Sequence, residues 1–200
     1  PKLQHPDPTV LRRSGFLIPS FADGKNLGTN INVPYFWAIN KDKDLTINSR
    51  LFATEHPLFL GEYRQAFKNS TLISDFGYSE GYKSNSKKNI RSGDRSHLFA
   101  RLNTKFKTNN SNENNLELNL QQVSDKKYLK LYRIDSNLVN YETNTLENTI
   151  EFNHFNDENN LSLNLQTGIY RTLTDTYKDK YEYIIPDLSI NKFILSENYG

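Results

Sequence analysis

Apolar and polar residues alternate with a period of two along much of this 200-residue chain. Between Leu161 and Ile169, for example, the odd positions are leucine, threonine or isoleucine, and the even ones are serine, asparagine, glutamine or glycine. Successive side chains of a β-strand point to opposite faces of the sheet, so this alternation predicts strands with one apolar and one polar face. No segment of comparable length keeps the helical period of 3.6 residues. The pattern therefore predicts an all-β fold.

About ten strands are predicted from this alternation and from the turn residues between them. They cover residues 14–21, 29–39, 45–53, 59–67, 72–83, 95–107, 116–123, 146–155, 161–171 and 179–194. The connections alternate in length: 40–44, 68–71, 108–115 and 156–160 are short, whereas 22–28, 84–94, 124–145 and 172–178 are longer, with 54–58 a short exception. Such sorting is typical of outer-membrane barrels, whose periplasmic turns are tight and whose extracellular loops are longer.

Composition excludes several classes of protein. The absence of cysteine removes disulfides, zinc ribbons and thiol nucleophiles. With 25 basic and 23 acidic residues, the net charge of +2 makes no case for a nucleic-acid partner. No run of 18 apolar residues occurs, which excludes a transmembrane helix. Transmembrane strands stay possible, because only every second residue of such a strand must be apolar.

Catalytic motifs are absent from the sequence. There is no G-x-S-x-G, no H-E-x-x-H and no phosphate-binding loop, so we predict no catalytic residue and no cofactor. The histidines are widely spaced, so no metal site is predicted, and we expect them on the surface or in a lumen; they are His5, His56, His97 and His154. Asp42 and Asp44 are expected in a tight polar turn, where aspartate forms local hydrogen bonds.

Three segments in the first third of the chain carry a resemblance to a known family. They are RRSGFLIPSF (12–21), NVPYFWAINKDKDLTINSRLF (32–52) and LGEYRQAF (60–67), and VSDKKYLKLYRIDS (123–136) and YRTLTDTYKDKYEYIIPDLSI (170–190) follow in family order. Together they resemble the start of the barrel of the LptD family of lipopolysaccharide-assembly proteins, also called the organic solvent tolerance protein family. Two departures are Lys41, where the family often has proline, and the missing cysteines that some members use to tie the barrel to a periplasmic domain.

The resemblance implies a location, a fold and a set of partners. It implies a cell outer-membrane β-barrel of about 26 strands that follows a periplasmic jellyroll. Residues 1–12 would be the end of that jellyroll and its hinge, and 13–200 the first strands, forming an open, curved antiparallel meander. The implied function is transport of lipopolysaccharide and its insertion into the outer leaflet. The implied partners, besides lipopolysaccharide and the outer-membrane lipids, are the plug lipoprotein LptE and the periplasmic bridge protein LptA.

The resemblance also implies a lateral gate near the first strands. Pro19 and Pro34 lie on neighbouring predicted strands, and proline cannot donate to a β-ladder. Taken without the resemblance, they are better explained as residues that start or bend strands. With it, they mark the seam through which the lipid leaves, and the edge of the gate would consist of Gly15, Phe16, Leu17 and Ile18.

Basic residues are the remaining candidates. Arg12 and Arg13 lie where jellyroll and barrel would meet, and two interpretations stay open: contact with lipid phosphates, which guanidinium binds bidentately, or a solvated basic pair. Arg64, Arg101 and Lys105 fall on polar positions of the alternation and are expected to line the lumen.

Two other functions compete with lipopolysaccharide transport. A generic outer-membrane channel or receptor barrel would have a diffusive lumen and no special role for the two prolines. A soluble extracellular β-sheet binding module would pack its apolar stripes against one another in a closed core rather than against lipid.

Overall fold

The fold is one antiparallel β-sheet. The structure is a computed structural model that describes residues 12–24, 27–83, 93–109, 111–174 and 178–193. Its strands are β1 (Gly15–Phe16), β2 (Ser20–Ala22), β3 (Asn30–Asn40), β4 (Lys43–Phe52), β5 (Leu58–Ala66), β6 (Ser70–Ser79), β7 (Arg95–Lys107), β8 (Asn112–Val123), β9 (Thr145–Asn156), β10 (Leu161–Thr172) and β11 (Tyr181–Lys192). One short helix, α1 (Tyr128–Tyr132), lies in the connection between β8 and β9.

Every strand from β3 onward pairs with its neighbour in the chain, and β1 and β2 both pair with β3. Within the described residues β11 pairs only with β10, so the sheet is open. The prediction of an open antiparallel meander of about ten strands is confirmed.

Strand boundaries differ from the prediction at several places. The predicted strand 14–21 is divided into β1 and β2, and the predicted strand 72–83 ends at Ser79. β8 begins at Asn112 rather than at 116, because polar side chains on both faces conceal its first residues from the alternation. Helix α1 was not predicted. The predicted jellyroll end and hinge at 1–12 lie almost entirely outside the described residues.

Short and long connections lie at opposite ends of the sheet, which confirms their predicted sorting. The short connections join strands at one end of the sheet, here called the turn end; they are 41–42, 67–69, 108–111 and 157–160. The remaining connections join strands at the opposite end, here called the loop end; they are 23–29, 53–57, 80–94, 124–144 and 173–180. Antiparallel pairing of consecutive strands places alternate connections at opposite ends.

Strand register separates an apolar face from a polar face. Leu72, Leu102, Leu118 and Ile150 lie opposite one another across β6 to β9, and these side chains belong to the apolar face. The adjacent residue of each strand points to the opposite face. There the paired residues form a polar row: Asn103, Glu117, Glu151, Gln166 and Asp187. The apolar face carries many of the exposed large hydrophobic residues, among them Leu98, Ile150 and Leu188.

The buried core lies on the polar face at the loop end. Residues 124–144 fold back onto the sheet there, and Tyr128, Leu129 and Tyr132 of α1 are buried with Leu58 and Phe99 of the strands. His97 stacks on Phe99 with ring centroids 4.6 Å apart, and its Nδ1 lies 3.0 Å from the Tyr128 hydroxyl.

Gly77 provides the space that this packing needs. A Cβ atom at Gly77 would lie 2.5 Å from Cε1 of His97 and 2.8 Å from Cδ2 of Leu60. We expect Gly77→Ala to destabilise the protein by about 1–3 kcal/mol, the usual range for overpacking a filled site. Thermal unfolding of the purified protein measures this. Gly15→Ala is the control, because its Cβ would meet nothing within 4 Å; an equal loss in both variants would contradict the packing argument.

Candidate functional site

Pairing of the first edge of the sheet is interrupted. Gly15 and Phe16 lie opposite Phe36 and Tyr35, and the ladder resumes where Ser20 lies opposite Asn32. Between these pairs the edge has three residues, 17–19, whereas β3 has only two, 33–34. Such an extra residue disrupts the ladder locally, as a β-bulge does. The predicted continuous strand over 14–21 is wrong at this point.

Two prolines lie at the interruption. The Pro34 carbonyl accepts a hydrogen bond of 2.9 Å from the Leu17 amide. The N–H and C=O of a residue in an antiparallel strand point to the same neighbour, so the amide proton that Pro34 lacks would also have pointed toward the edge. Pro19 lies in the irregular piece between β1 and β2 and offers no donor either. The ladder is thus weakest where the two prolines lie.

The side chains of this edge are apolar and exposed. Ile18 is 90% exposed and Phe16 78%, and Leu17 is also exposed. The rings of Phe16 and Tyr35 meet in a T-shaped contact, with centroids 5.1 Å apart. Within the described residues no strand pairs with the outer side of β1 or β2. The structure thus brings together the six residues predicted for the gate: Pro19, Pro34, Gly15, Phe16, Leu17 and Ile18.

A charged cluster lies beside this edge on the polar face. Asp44 is only 2% exposed, and its two carboxylate oxygens accept hydrogen bonds of 2.8 Å from Arg12 Nη1 and Arg64 Nε. Glu62 adds a second carboxylate 3.6 Å from Arg64. The prediction that Asp44 lies in a turn is wrong, because it belongs to β4 and its partners are 32 and 20 residues away. Arg13 is exposed.

Predicted lumen-lining residues share the polar face. Arg64 lies opposite Asp44, and Arg101 donates a 2.8 Å hydrogen bond to Asn119 Oδ1. Lys105 borders a concave region of about 830 Å³ at the turn end. Four amides of the polar face also surround this concavity, beside the charged Lys107 and Glu113: Asn115, Asn153, Asn164 and Asn191.

The β8–β9 connection is a part of the site that the sequence pattern does not predict. Asn137 donates a 2.7 Å hydrogen bond to Glu62 Oε2, and Arg50 donates to the carbonyl oxygen of Tyr132. Burial raises the pKa of the Tyr128 and Tyr132 hydroxyls, so both remain neutral partners. One feature of the sequence could have predicted this helix: the spacing of Tyr128, Leu129 and Tyr132 puts three apolar side chains on one helical face.

The described part of the chain contains neither a metal cluster nor a membrane-spanning helix. Within 12–24, 27–83, 93–109, 111–174 and 178–193, no group of three or more His, Asp or Glu side chains is arranged to hold a metal ion. No helix in these ranges has the length and apolar character needed to cross a membrane.

Comparison with known proteins gives one short, repeated similarity. No protein-family model matches the chain. It is 43% identical over 53 residues to LPS-assembly protein LptD of Methylococcus capsulatus and 42% identical over 53 residues to that of Nitrosococcus oceani. It is 33% identical over 58 residues to that of Psychrobacter cryohalolentis. These matches cover 26–29% of this chain and 5–7% of the relatives. A segment of this chain is therefore similar to LptD, and the chain corresponds to a small share of the length of these relatives.

Proposed function

We propose that this chain forms the first strands of an outer-membrane β-barrel that transports lipopolysaccharide and inserts it into the outer leaflet. The observation that carries the proposal is the similarity of one segment to LptD proteins, found in a chain whose sheet is open and has one apolar face. Further strands would close the barrel. The function requires binding and passage of a lipid, and no covalent step.

The exposed apolar face supports contact with lipid. Leu188 of β11 is 54% exposed. Ile150 of β9 and Leu98 of β7 are also exposed, although β7 and β9 have a neighbouring strand on each side. A soluble binding module would cover such a face with a second layer. In outer-membrane barrels the same alternation directs apolar residues to lipid and polar residues to the lumen. The turn end would then be periplasmic, and the loop end, with α1, extracellular.

The interrupted edge supports a lateral gate. On this proposal the first and last strands of the complete barrel meet at β1 and β2, and lipopolysaccharide leaves between them. Pro19 and Pro34 weaken the pairing of β1 and β2 with β3, so the edge strand beside the seam moves aside at a lower cost, each hydrogen bond that is not formed being worth about 1 kcal/mol net. Phe16, Leu17 and Ile18 would be the apolar residues that the acyl chains pass.

Partners follow from the same proposal. Residues 1–12 would be the end of a periplasmic jellyroll that receives lipopolysaccharide from LptA, and LptE would occupy the lumen. Arg64, Arg101 and Lys105 would face that lumen. Arg12 and Arg13 remain proposed phosphate contacts, and for Arg12 this requires release from Asp44, its partner in the structure.

Membrane contact is tested by a matched pair of substitutions on β11. Leu188 belongs to the apolar face and Ser189 to the polar face, and both are exposed. We expect Leu188→Lys to destabilise the inserted barrel by about 2–4 kcal/mol, the range for lysine near the bilayer midplane, and Ser189→Lys to have little effect. The measurement is unfolding of the complete protein in lipid vesicles. Similar losses in both variants would contradict contact of the apolar face with lipid.

The gate is tested by restoring the missing donors. We expect Pro19→Val with Pro34→Val to strengthen pairing of the first edge and to reduce delivery of lipopolysaccharide to the cell surface severalfold. Delivery is measured by labelling of surface lipopolysaccharide in cells that carry the complete protein. Pro186→Val is the control, because Pro186 lies in the β10–β11 register shift, far along the sheet from this edge. Unchanged delivery in the double variant would favour a generic channel or receptor barrel.

A further inference from the structure

The charged cluster joins three distant segments at the first edge of the sheet. Arg12 precedes β1, Asp44 lies near the start of β4, and Arg64 lies near the end of β5. Asp44 lies opposite Ala38 of β3 on one side and opposite Arg64 on the other. These residues come from the three segments, 12–21, 32–52 and 60–67, that resemble the LptD family. Their meeting gives a physical role to residues that the gate itself does not use.

Arg12 crosses a whole strand to reach its partner. The chain before β1 lies beside β3, yet the guanidinium contacts a carboxylate on β4. Ala38, the β3 residue opposite Asp44, has a short side chain and leaves the path open. The Ala38 amide also donates a 3.0 Å hydrogen bond to Ser14 Oγ. The turn-end side of β1 is therefore attached by side chains as well as by its short ladder.

The charges of the cluster make this attachment reversible. A carboxylate as buried as Asp44 requires a cationic partner, because an unpaired buried charge is strongly unfavourable. Arg64 supplies one, and Glu62 stands beside Arg64. If Arg12 leaves, Asp44 still has Arg64, so release exposes no orphaned charge. Arg12 itself is about half exposed and returns readily to water.

We propose that Asp44 is a positioning residue that holds the β1 edge in place through Arg12, while Arg64 keeps the carboxylate paired and oriented. The ladder is broken at 17–19, so this contact and the Ser14 hydrogen bond join the Phe16–Tyr35 ring contact in holding Gly15 and Phe16 against β3. The role of the contact in lipid release rests on the proposed function. The positioning role does not.

The test is hydrogen–deuterium exchange at the Leu17 amide in the complete protein. This amide bonds to Pro34, so its protection reports whether the edge is docked. We expect Arg12→Gln to raise its exchange rate about tenfold and to leave the amides shared by β7 and β8 unchanged. Asp44→Asn should give a similar rise, and the double variant no further rise, because both substitutions remove the same contact.

A matched control is available at the same end of the sheet. Glu113→Gln removes one carboxylate from the exposed Lys107–Glu113 pair and changes the net charge as Asp44→Asn does. It should leave the Leu17 amide unaffected. If Asp44→Asn does not fold, Arg12→Gln decides alone, since Arg12 is exposed and its loss leaves the Asp44–Arg64 pair intact. Unchanged exchange in Arg12→Gln, or equal increases in Arg12→Gln and Glu113→Gln, would overturn the proposal.

Delivery of lipopolysaccharide, measured in the same variants, separates the two proposals. Faster exchange with altered delivery supports both the positioning role and the gate. Faster exchange with unchanged delivery supports the positioning role of Asp44 and overturns the gate at this edge. Unchanged exchange overturns the positioning role, whatever happens to delivery.

Discussion

Strand register is the constraint on which this structure depends. Because side chains alternate along each strand, a shift of one residue would exchange the two faces. Leu118 and its partners on neighbouring strands lie on the apolar face, whereas Glu117, one residue earlier, and its partners lie on the polar face. Consistent register over most of the sheet therefore maintains one apolar surface and one polar surface, and each later feature lies on one of them.

The polar face is closed at one end by the chain itself. Residues 124–144 place the Tyr128 ring beside His97 and the Tyr132 ring beside Tyr128, and the two tyrosine rings belong to the buried core of a sheet that has no second layer in the described residues. Asn137 links this segment to Glu62 by a hydrogen bond, and Glu62 in turn forms an ion pair with Arg64. The loop end is held by aromatic packing, whereas the turn end near β1 is held by charge.

The first edge shows how pairing and side-chain chemistry compensate for each other. Backbone pairing is interrupted between Phe16 and Ser20, where the prolines remove donors. Side-chain bonds from Arg12 and Ser14 supply attachment on the turn-end side of the break. An edge held in this way is fixed at one point and weakly paired along the rest, which is the property that the proposed lateral gate requires.

The sequence by itself determined the strands, the two faces and the sorting of connections, because period-two alternation and turn residues are local signals. It also placed Pro19, Pro34 and the apolar edge residues near one another. Only the tertiary structure showed that residues 17–19 face two residues of β3, since an extra residue is visible only against the opposite strand. Asp44 was expected in a turn, but strand pairing buries it between Arg12 and Arg64. Contacts across 75 residues, such as that of Asn137 with Glu62, have no local signal because they depend on how the sheet curves and on which strands become neighbours.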